Sequence, residues 1–443
     1  MLTIPSDCAE SCVGSVTGDI MSELTAVSTA PAGEVIDSPS LDGIAAGTDC
    51  ECQVTIARND TTPSADELRD SIIEILESQG YIVKSGLIEM PDGLTKDDYR
   101  RMNQLAVAKK LEVSGPGLQR YERKLIGHIA NGWEVCPDKI SPKLVLVKPG
   151  SEEELLFRYA SLHWSIPVSS GYGRRLRFLV FDAHNGKLIG LFGLGDPVFA
   201  LRDRDEWIGW DTETRKLRLY HIMDAFVLGA VPPYSRLLCG KLVAMLTLSN
   251  EVRETFRSKY ADHVSLIRKE ERKPILAMIT TTSALGRSSI YNRIRLNGID
   301  YWKSVGFTQG SGEFHFSNGV YAKIRSYVEA NCTPTAKHGD WGTGFRSRRE
   351  VIRKCLTSLG LSPRLIYHGI RREIFAAPLG SKARDFLRGR SDDPELYDWP
   401  TDYLFDLFRE RWLLRRAAVY TDYLGFRSDD YLLWHSNAAG EEG

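Results

Sequence analysis

The stretch that decides the fold is ILAMITTTSALGRSSIYNRI, residues 275–294, followed by DYWKSVGF, residues 300–307. Residues 275–282 are apolar and β-branched, which predicts a buried strand. A polar turn at Gly286 follows, and the next residues have the apolar spacing of a short amphipathic helix. Gly306 then breaks the pattern before a final strand. A strand, a turn and a helix in this order predict an α/β domain with polar groups at the end of its strand.

Length and composition are those of a multidomain globular protein. A chain of 443 residues suggests two or three domains, and its 42% apolar and 26% charged residues are ordinary for such proteins. The sequence has no apolar run of about eighteen residues, which a membrane helix would need. It also lacks the basic and then apolar start of a secretory signal. We therefore expect a cytoplasmic protein without a membrane partner.

The charge is distributed unevenly. Residues 1–80 contain 15 acidic and two basic residues, so this segment has a net charge of −13. Because the whole chain has a net charge of −1, residues 81–443 carry +12. An acidic arm on a basic body suggests a polyanion partner, DNA or RNA, with which the arm could compete for the basic surface. The alternative is that the arm is only a solvated tail.

Local patterns divide the chain into four parts. Residues 1–62 are small, polar and acidic, and predict a disordered arm that cannot bury enough apolar surface to fold. Residues 63–150 predict a helical lead-in module that begins with a capping box. Residues 151–325 predict the α/β core, which includes a hairpin at Asn185-Gly186. Residues 326–443 predict a mostly helical C-terminal module.

The core resembles GNAT-like acyltransferases. The predicted strand at residues 222–231 leads into PPYSRLLCGKL, which lies where that family binds a pyrophosphate at a helix N-terminus, and YWKSVGF resembles its closing segment. The resemblance implies a mixed sheet and makes Arg236 and Lys241 candidate anion-binding residues. Two departures argue against ordinary acetyl transfer: a double proline removes backbone donors, and Trp302 replaces the family's tyrosine. A divergent acyl or aminoacyl transferase is therefore kept as an alternative function.

Two polar clusters predict contacts with an anion or a nucleic acid. Hydroxyls, an arginine and backbone donors at a strand–helix junction suit phosphate, and the candidates there are Thr281, Thr282, Ser283, Arg287, Ser288 and Asn292. Arginines beside an aromatic ring suit phosphate and base contacts, and this second cluster contains Tyr172, Arg174, Arg175 and Arg177. The alternatives are a helix cap for the first cluster and a solvated turn for the second.

The sequence does not decide whether the protein is an enzyme. Asp224 interrupts an apolar strand, where a buried carboxylate needs a partner, and Tyr291 lies in the polar junction, so these two are the candidate catalytic residues. A metal-dependent nuclease could also use a scattered acidic set, namely Asp182, Asp196, Asp203, Asp205, Glu206, Asp211, His221 and Asp224. Most of these residues also fit turns, so no metal ligand is assigned and the cofactor is unknown.

Four longer stretches of the sequence together resemble a second protein family. These strings are LFRYASLHW from residue 156, MDAFVLGAVPPYSRLLCGKL from residue 223, TTTSALGRSSIYNRI from residue 280 and HGIRREIF from residue 368. In this order they resemble the DruA family of the Druantia anti-phage systems, over about residues 155–375. The resemblance implies a role in defence beside other Druantia proteins, including a large helicase-type protein, and supplies no reaction. A non-catalytic scaffold is therefore a further alternative.

Overall fold

Strands from most of the chain's length meet in one sheet of a computed structural model, which describes residues 63–169, 173–261, 273–296, 298–317, 319–335, 339–342 and 345–434. In chain order the strands of this part are β1 (Ile82–Lys84), β2 (Leu87–Glu89), β3 (Pro142–Leu146), β4 (Arg175–Asp182), β5 (Lys187–Gly195), β6 (Ile222–Ala230), β7 (Met278–Thr282), β8 (Arg295–Leu296), β9 (Ile299–Asp300), β10 (Lys303–Phe307) and β11 (Glu373–Pro378). Seven of them form a sheet in the order β10-β11-β7-β6-β5-β4-β3, and β1-β2 and β8-β9 are separate pairs.

The helices lie in the connections between these strands and at both ends of the described chain. In chain order they are α1 (Ala65–Ser78), α2 (Lys96–Leu118), α3 (Glu122–Leu125), α4 (Glu152–Ser161), α5 (Arg202–Ile208), α6 (Thr212–Arg218), α7 (Cys239–Leu246), α8 (Asn250–Tyr260), α9 (Val320–Asn331), α10 (Phe345–Ser358), α11 (Ala383–Leu387), α12 (Thr401–Phe408) and α13 (Leu414–Val419). None of the described helices is long and apolar enough to span a membrane.

The sheet is mixed, as the sequence predicts. Strands β3 to β6 are antiparallel neighbours, and the predicted Asn185-Gly186 turn joins β4 to β5 with Gly186 at a φ of +72°. Strands β6 and β7 are parallel and pair at only three positions, from Ile222 opposite Met278 to Asp224 opposite Thr280. Because β6 continues to Ala230, the two central strands diverge beyond this short contact.

Two sheet strands come from outside residues 151–325. Strand β3 lies at one edge of the sheet, and β11 lies between β7 and β10, antiparallel to both. Strand β11 is buried through Ala377, which places a piece of the predicted C-terminal module inside the sheet. The α/β core is therefore completed by residues on both sides of the boundaries that composition suggests.

The segment after β7 differs from the predicted helix. Only a single 3-10 turn, Tyr291–Arg293, forms there. The Ser288 hydroxyl accepts from the backbone N–H groups of Ile290 and Tyr291, at 3.1 and 3.4 Å, so a side chain replaces the first helical hydrogen bonds. The chain then turns back through β8 and β9 to reach β10.

A second core lies between helices from opposite ends of the chain. Buried residues of α1 and α2, including Leu68, Ile72 and Met102, pack with those of α9 and α10, including Ile324 and Ile352. The predicted lead-in and C-terminal helices thus share one apolar layer. The predicted disordered arm, residues 1–62, lies outside the described residues, and so does Tyr172.

Candidate functional site

The predicted candidates at the end of β7 connect the two central strands. The Thr280 hydroxyl donates to Asp224 Oδ1 at 2.7 Å, and the Thr281 hydroxyl donates to the Ala225 carbonyl at 2.8 Å. These side chains and the neighbouring Thr282 are buried. Asp224 therefore has the partner that a buried carboxylate needs, at the point where β6 and β7 begin to diverge.

Glu373, which the sequence did not single out, organises the rest of this junction. Its carboxylate accepts from Ser304 Oγ at 2.7 Å and from both the Ser288 N–H and the Asn292 amide at 3.3 Å. The Glu373 N–H donates to Ser283 Oγ at 3.0 Å. The available signal was a glutamate inside the otherwise apolar end of HGIRREIF. Three of the predicted polar residues, Ser283, Ser288 and Asn292, therefore hydrogen-bond to Glu373.

Tyr291 is part of the apolar core. Its ring is 1% exposed and lies 5.2 Å from the ring centroid of Trp302 and 4.9 Å from that of Phe375. Trp302 donates its indole N–H to the Ala244 carbonyl at 3.1 Å. Both rings lie beneath the junction and face other core side chains, which agrees with a packing role.

The arginines near the start of β4 make contacts within the fold. Arg174 donates to Asp196 at 2.7 Å and to the carbonyl of Tyr220 at 2.8 Å, and its guanidinium lies 4.2 Å from the Tyr220 ring centroid. Arg177 forms an ion pair with Glu154 at 2.9 Å. Arg175 is half-buried, and its carbonyl accepts from Tyr260 OH. Arg174 and Arg177 thus use guanidinium donors to hold neighbouring elements together.

The loop between β6 and α7 is covered by the C-terminal segment. Arg236 donates to the Asp422 carbonyl and lies 5.6 Å from the Phe426 ring centroid, while Arg416 donates to the Arg236 carbonyl at 3.1 Å. Lys241 is buried in α7. The two residues that the GNAT-like resemblance assigns to an anion therefore lie under other parts of the same chain.

The acidic candidates are spread over separate contacts. Asp182 accepts from Tyr234 OH at 2.9 Å, Asp205 pairs with Arg204 and Arg215, and Asp211 caps the N-terminus of α6. No group of three His, Cys, Asp or Glu side chains in the described ranges is arranged to hold a metal ion. The acidic candidates therefore do not lie together around one site.

An exposed cluster beside β10 combines two arginines with an aromatic ring. The guanidinium of Arg371 lies 5.4 Å, and that of Arg287 lies 6.0 Å, from the ring centroid of the half-buried Phe307. Both arginines are exposed and have no acidic partner within the described part of the chain. We call Arg287, Phe307 and Arg371 the Phe307 cluster. Two arginines near one ring are a suitable contact for phosphate and bases.

A cavity of about 350 Å³ opens beside the same ring. Its lining combines charged and polar side chains with apolar and aromatic ones, and consists of Ala200, Leu201, Arg202, Asp203, Asp205, Glu206, Trp210, Arg215, Phe307, Thr308 and Gln309. Asp203 Oδ2 accepts from the Phe307 N–H at 2.7 Å, which attaches the first turn of α5 to the end of β10. The cavity and the Phe307 cluster therefore share Phe307, and the hydrogen bond to Asp203 holds the Phe307 backbone in place beside the cavity.

Buried titratable groups lie between β11 and the helical layer. Burial lowers the pKa of His315 to about 4 and that of Arg372 to about 10, and it raises the pKa of Glu313 to about 7. Tyr81 lies near His315, with ring centroids 5.9 Å apart. None of these four side chains lines the cavity beside Phe307.

Two comparisons with known proteins indicate the same family. The family model described as Druantia protein DruA matches residues 93–389. The chain is also 41% identical, over 370 residues, to a curated protein named Druantia protein DruA from Escherichia coli strain UMEA 4076-1, covering 83% of this chain and 89% of that relative. No solved structure matches. Because the match covers most of both chains, the protein belongs to the Druantia protein DruA family.

Proposed function

We propose that this chain is the component of a Druantia-type anti-phage defence system that binds nucleic acid. Family membership supports the role in defence beside other Druantia proteins. A large helicase-type protein among these partners is part of the proposal. The single observation that carries nucleic-acid binding is the Phe307 cluster, where two exposed arginines without acidic partners in the described chain lie beside one ring. The net charge of +12 on residues 81–443 has the matching sign.

We also propose that the sheet is GNAT-like. Strands β3 to β6 are antiparallel neighbours, and β6 then pairs in parallel with β7, from which it diverges. Strand β11, the last in sequence, lies between β7 and β10. This arrangement supports a divergent acyl or aminoacyl transferase as the second candidate function. The covered loop at Arg236 counts against a donor bound at that place. A thermal shift with an acyl-CoA or aminoacyl ligand would favour the transferase.

Binding to nucleic acid is tested with the full-length protein and labelled duplex DNA, single-stranded DNA and RNA over a salt series. We expect affinity for one of them to fall steeply with salt, because phosphate contacts release counterions. A variant without residues 1–62 should bind more tightly if the acidic arm competes for the basic surface. Lack of binding to all three, with and without the arm, would contradict the proposal and favour a protein scaffold.

A further inference from the structure

We propose that the cavity beside Phe307 receives one unpaired nucleobase bearing an exocyclic amine, while Arg287 and Arg371 contact the phosphate of the same nucleotide. This inference rests on the proposed function and specifies its site. The cavity volume of about 350 Å³ is within the range of small-ligand pockets, which start at about 300 Å³. The nucleotide can be part of a single strand or free in solution, and the test below separates the two sources.

The charged pairs that line the cavity leave a small set of free polar groups. Arg202 forms an ion pair with Glu206 at 3.0 Å, and Asp205 forms ion pairs with Arg204 and Arg215. Asp203 uses Oδ2 on the Phe307 N–H, and no residue in the described ranges donates a hydrogen bond to its Oδ1. The exposed Gln309 amide also lines the cavity without a hydrogen bond to any described residue.

These free groups match the edge of an amino-bearing base. A carboxylate oxygen accepts from the amine of cytosine, and a glutamine amide both donates to and accepts from the edge of adenine. Uracil and thymine present a carbonyl where those bases carry the amine, so Asp203 would face another acceptor. The arrangement therefore predicts that adenine and cytosine are preferred over thymine and uracil.

The other half of the nucleotide meets the Phe307 cluster. The ring borders the cavity, so a base inside the cavity can pack against it, and base–aromatic contacts tolerate any base shape. Both guanidinium groups lie within 6.0 Å of the ring centroid on the exposed surface, where a phosphate attached to that base remains in solvent. Arginine suits this position because its planar group contacts two phosphate oxygens at once.

The experiment compares short single strands of deoxyadenylate, deoxycytidylate and thymidylate with free AMP and TMP, by fluorescence anisotropy and calorimetry on the full-length protein. We expect the amino-bearing strands to bind at least about fivefold more tightly than thymidylate. Phe307→Leu, which keeps an apolar side chain, should lose about five- to tenfold in affinity. Asp203→Asn should lose the base preference while keeping an acceptor for the Phe307 N–H. Arg411→Ala, an exposed arginine after α12, is the matched control and should bind as the wild type does.

The outcomes separate this inference from the proposed function. Equal affinity for the three strands, or tight binding that Phe307→Leu leaves unchanged, would overturn the base site and leave nucleic-acid binding in place. Binding of AMP over TMP that depends on Phe307, without binding to any strand, would support the site and contradict the proposed function. Binding of neither strands nor nucleotides would overturn both. Thermal denaturation of each variant establishes that it is folded.

Discussion

Glu373 shows how one buried carboxylate fixes several polar side chains that resemble a binding site in the sequence. Ser283, Ser288 and Asn292 hydrogen-bond to its backbone or carboxylate, and Ser304 joins them from β10. Residue types alone predicted polar groups at the end of β7, and that is where they lie. They could not reveal that the partner comes from β11, about eighty residues later in the chain, because hydrogen-bond partners depend on the sheet order.

Replacing Glu373 tests this role. Glu373→Gln should lower the free energy of unfolding by about 1 kcal/mol, because the amide oxygen can still accept from the Ser288 N–H and the Asn292 amide while the NH₂ group donates to the Ser304 hydroxyl, so that hydrogen bonds to a carboxylate are replaced by weaker neutral ones. Urea unfolding followed by fluorescence measures the change. Glu206→Gln, at an exposed ion pair with Arg202, is the control and should change stability by less than about 0.5 kcal/mol. Equal effects of the two substitutions would show that the Glu373 contacts contribute little.

At the scale of elements, periodicity predicted the individual segments better than their assembly. The predicted strand at residues 222–231 forms as β6, the predicted hairpin at Asn185-Gly186 joins β4 to β5, and the lead-in begins with the predicted capping box at α1. The segment after β7 forms a single 3-10 turn because Ser288 takes the backbone donors that a helix would use. Strand β11 was missed within a region of helical pattern, where six residues give too short a signal.

The helical layer should carry a pH dependence that originates at Glu313, just before α9. Burial raises the pKa of this carboxyl to about 7, although Arg348 lies 3.4 Å away, and Glu313 Oε1 has no hydrogen bond in the described structure. The folded protein therefore holds this proton between about pH 4.5 and pH 7, where the unfolded chain has released it. The contribution of Glu313 to stability consequently falls as the pH rises through this window.

Glu313→Gln removes this titration. Relative to the wild type, the variant should gain about 1–3 kcal/mol in free energy of unfolding as the pH rises from about 4.5 to 7. Taking the difference between the two proteins removes the opposite contribution of His315, whose pKa burial lowers. Urea unfolding at several pH values measures the effect, and Glu329→Gln, an exposed member of the same layer, is the control. A difference that stays constant with pH would contradict a buried, protonated Glu313.

At the scale of the whole molecule, the sequence supported the mixed α/β class and the family but could not place the basic surface. Arg287 was among the predicted anion contacts, while Arg174 and Arg177 from the same predictions form ion pairs inside the fold. Arg371 becomes the neighbour of Arg287 because β11 pairs with β7, and Phe307 lies beside both because β10 pairs with β11. Exposure and pairing of arginines depend on long-range contacts, which local patterns do not contain.

The most direct test of the central claim is the salt dependence of single-strand binding by the wild type and by the double variant Arg287→Ala, Arg371→Ala. If both arginines contact the phosphate of one nucleotide, the slope of log K against log salt should decrease in magnitude by about 0.7, since each neutralised phosphate on a single strand contributes about that much. Arg411→Ala should keep the wild-type slope. A double variant that binds with an unchanged slope would contradict a nucleic-acid contact at the Phe307 cluster.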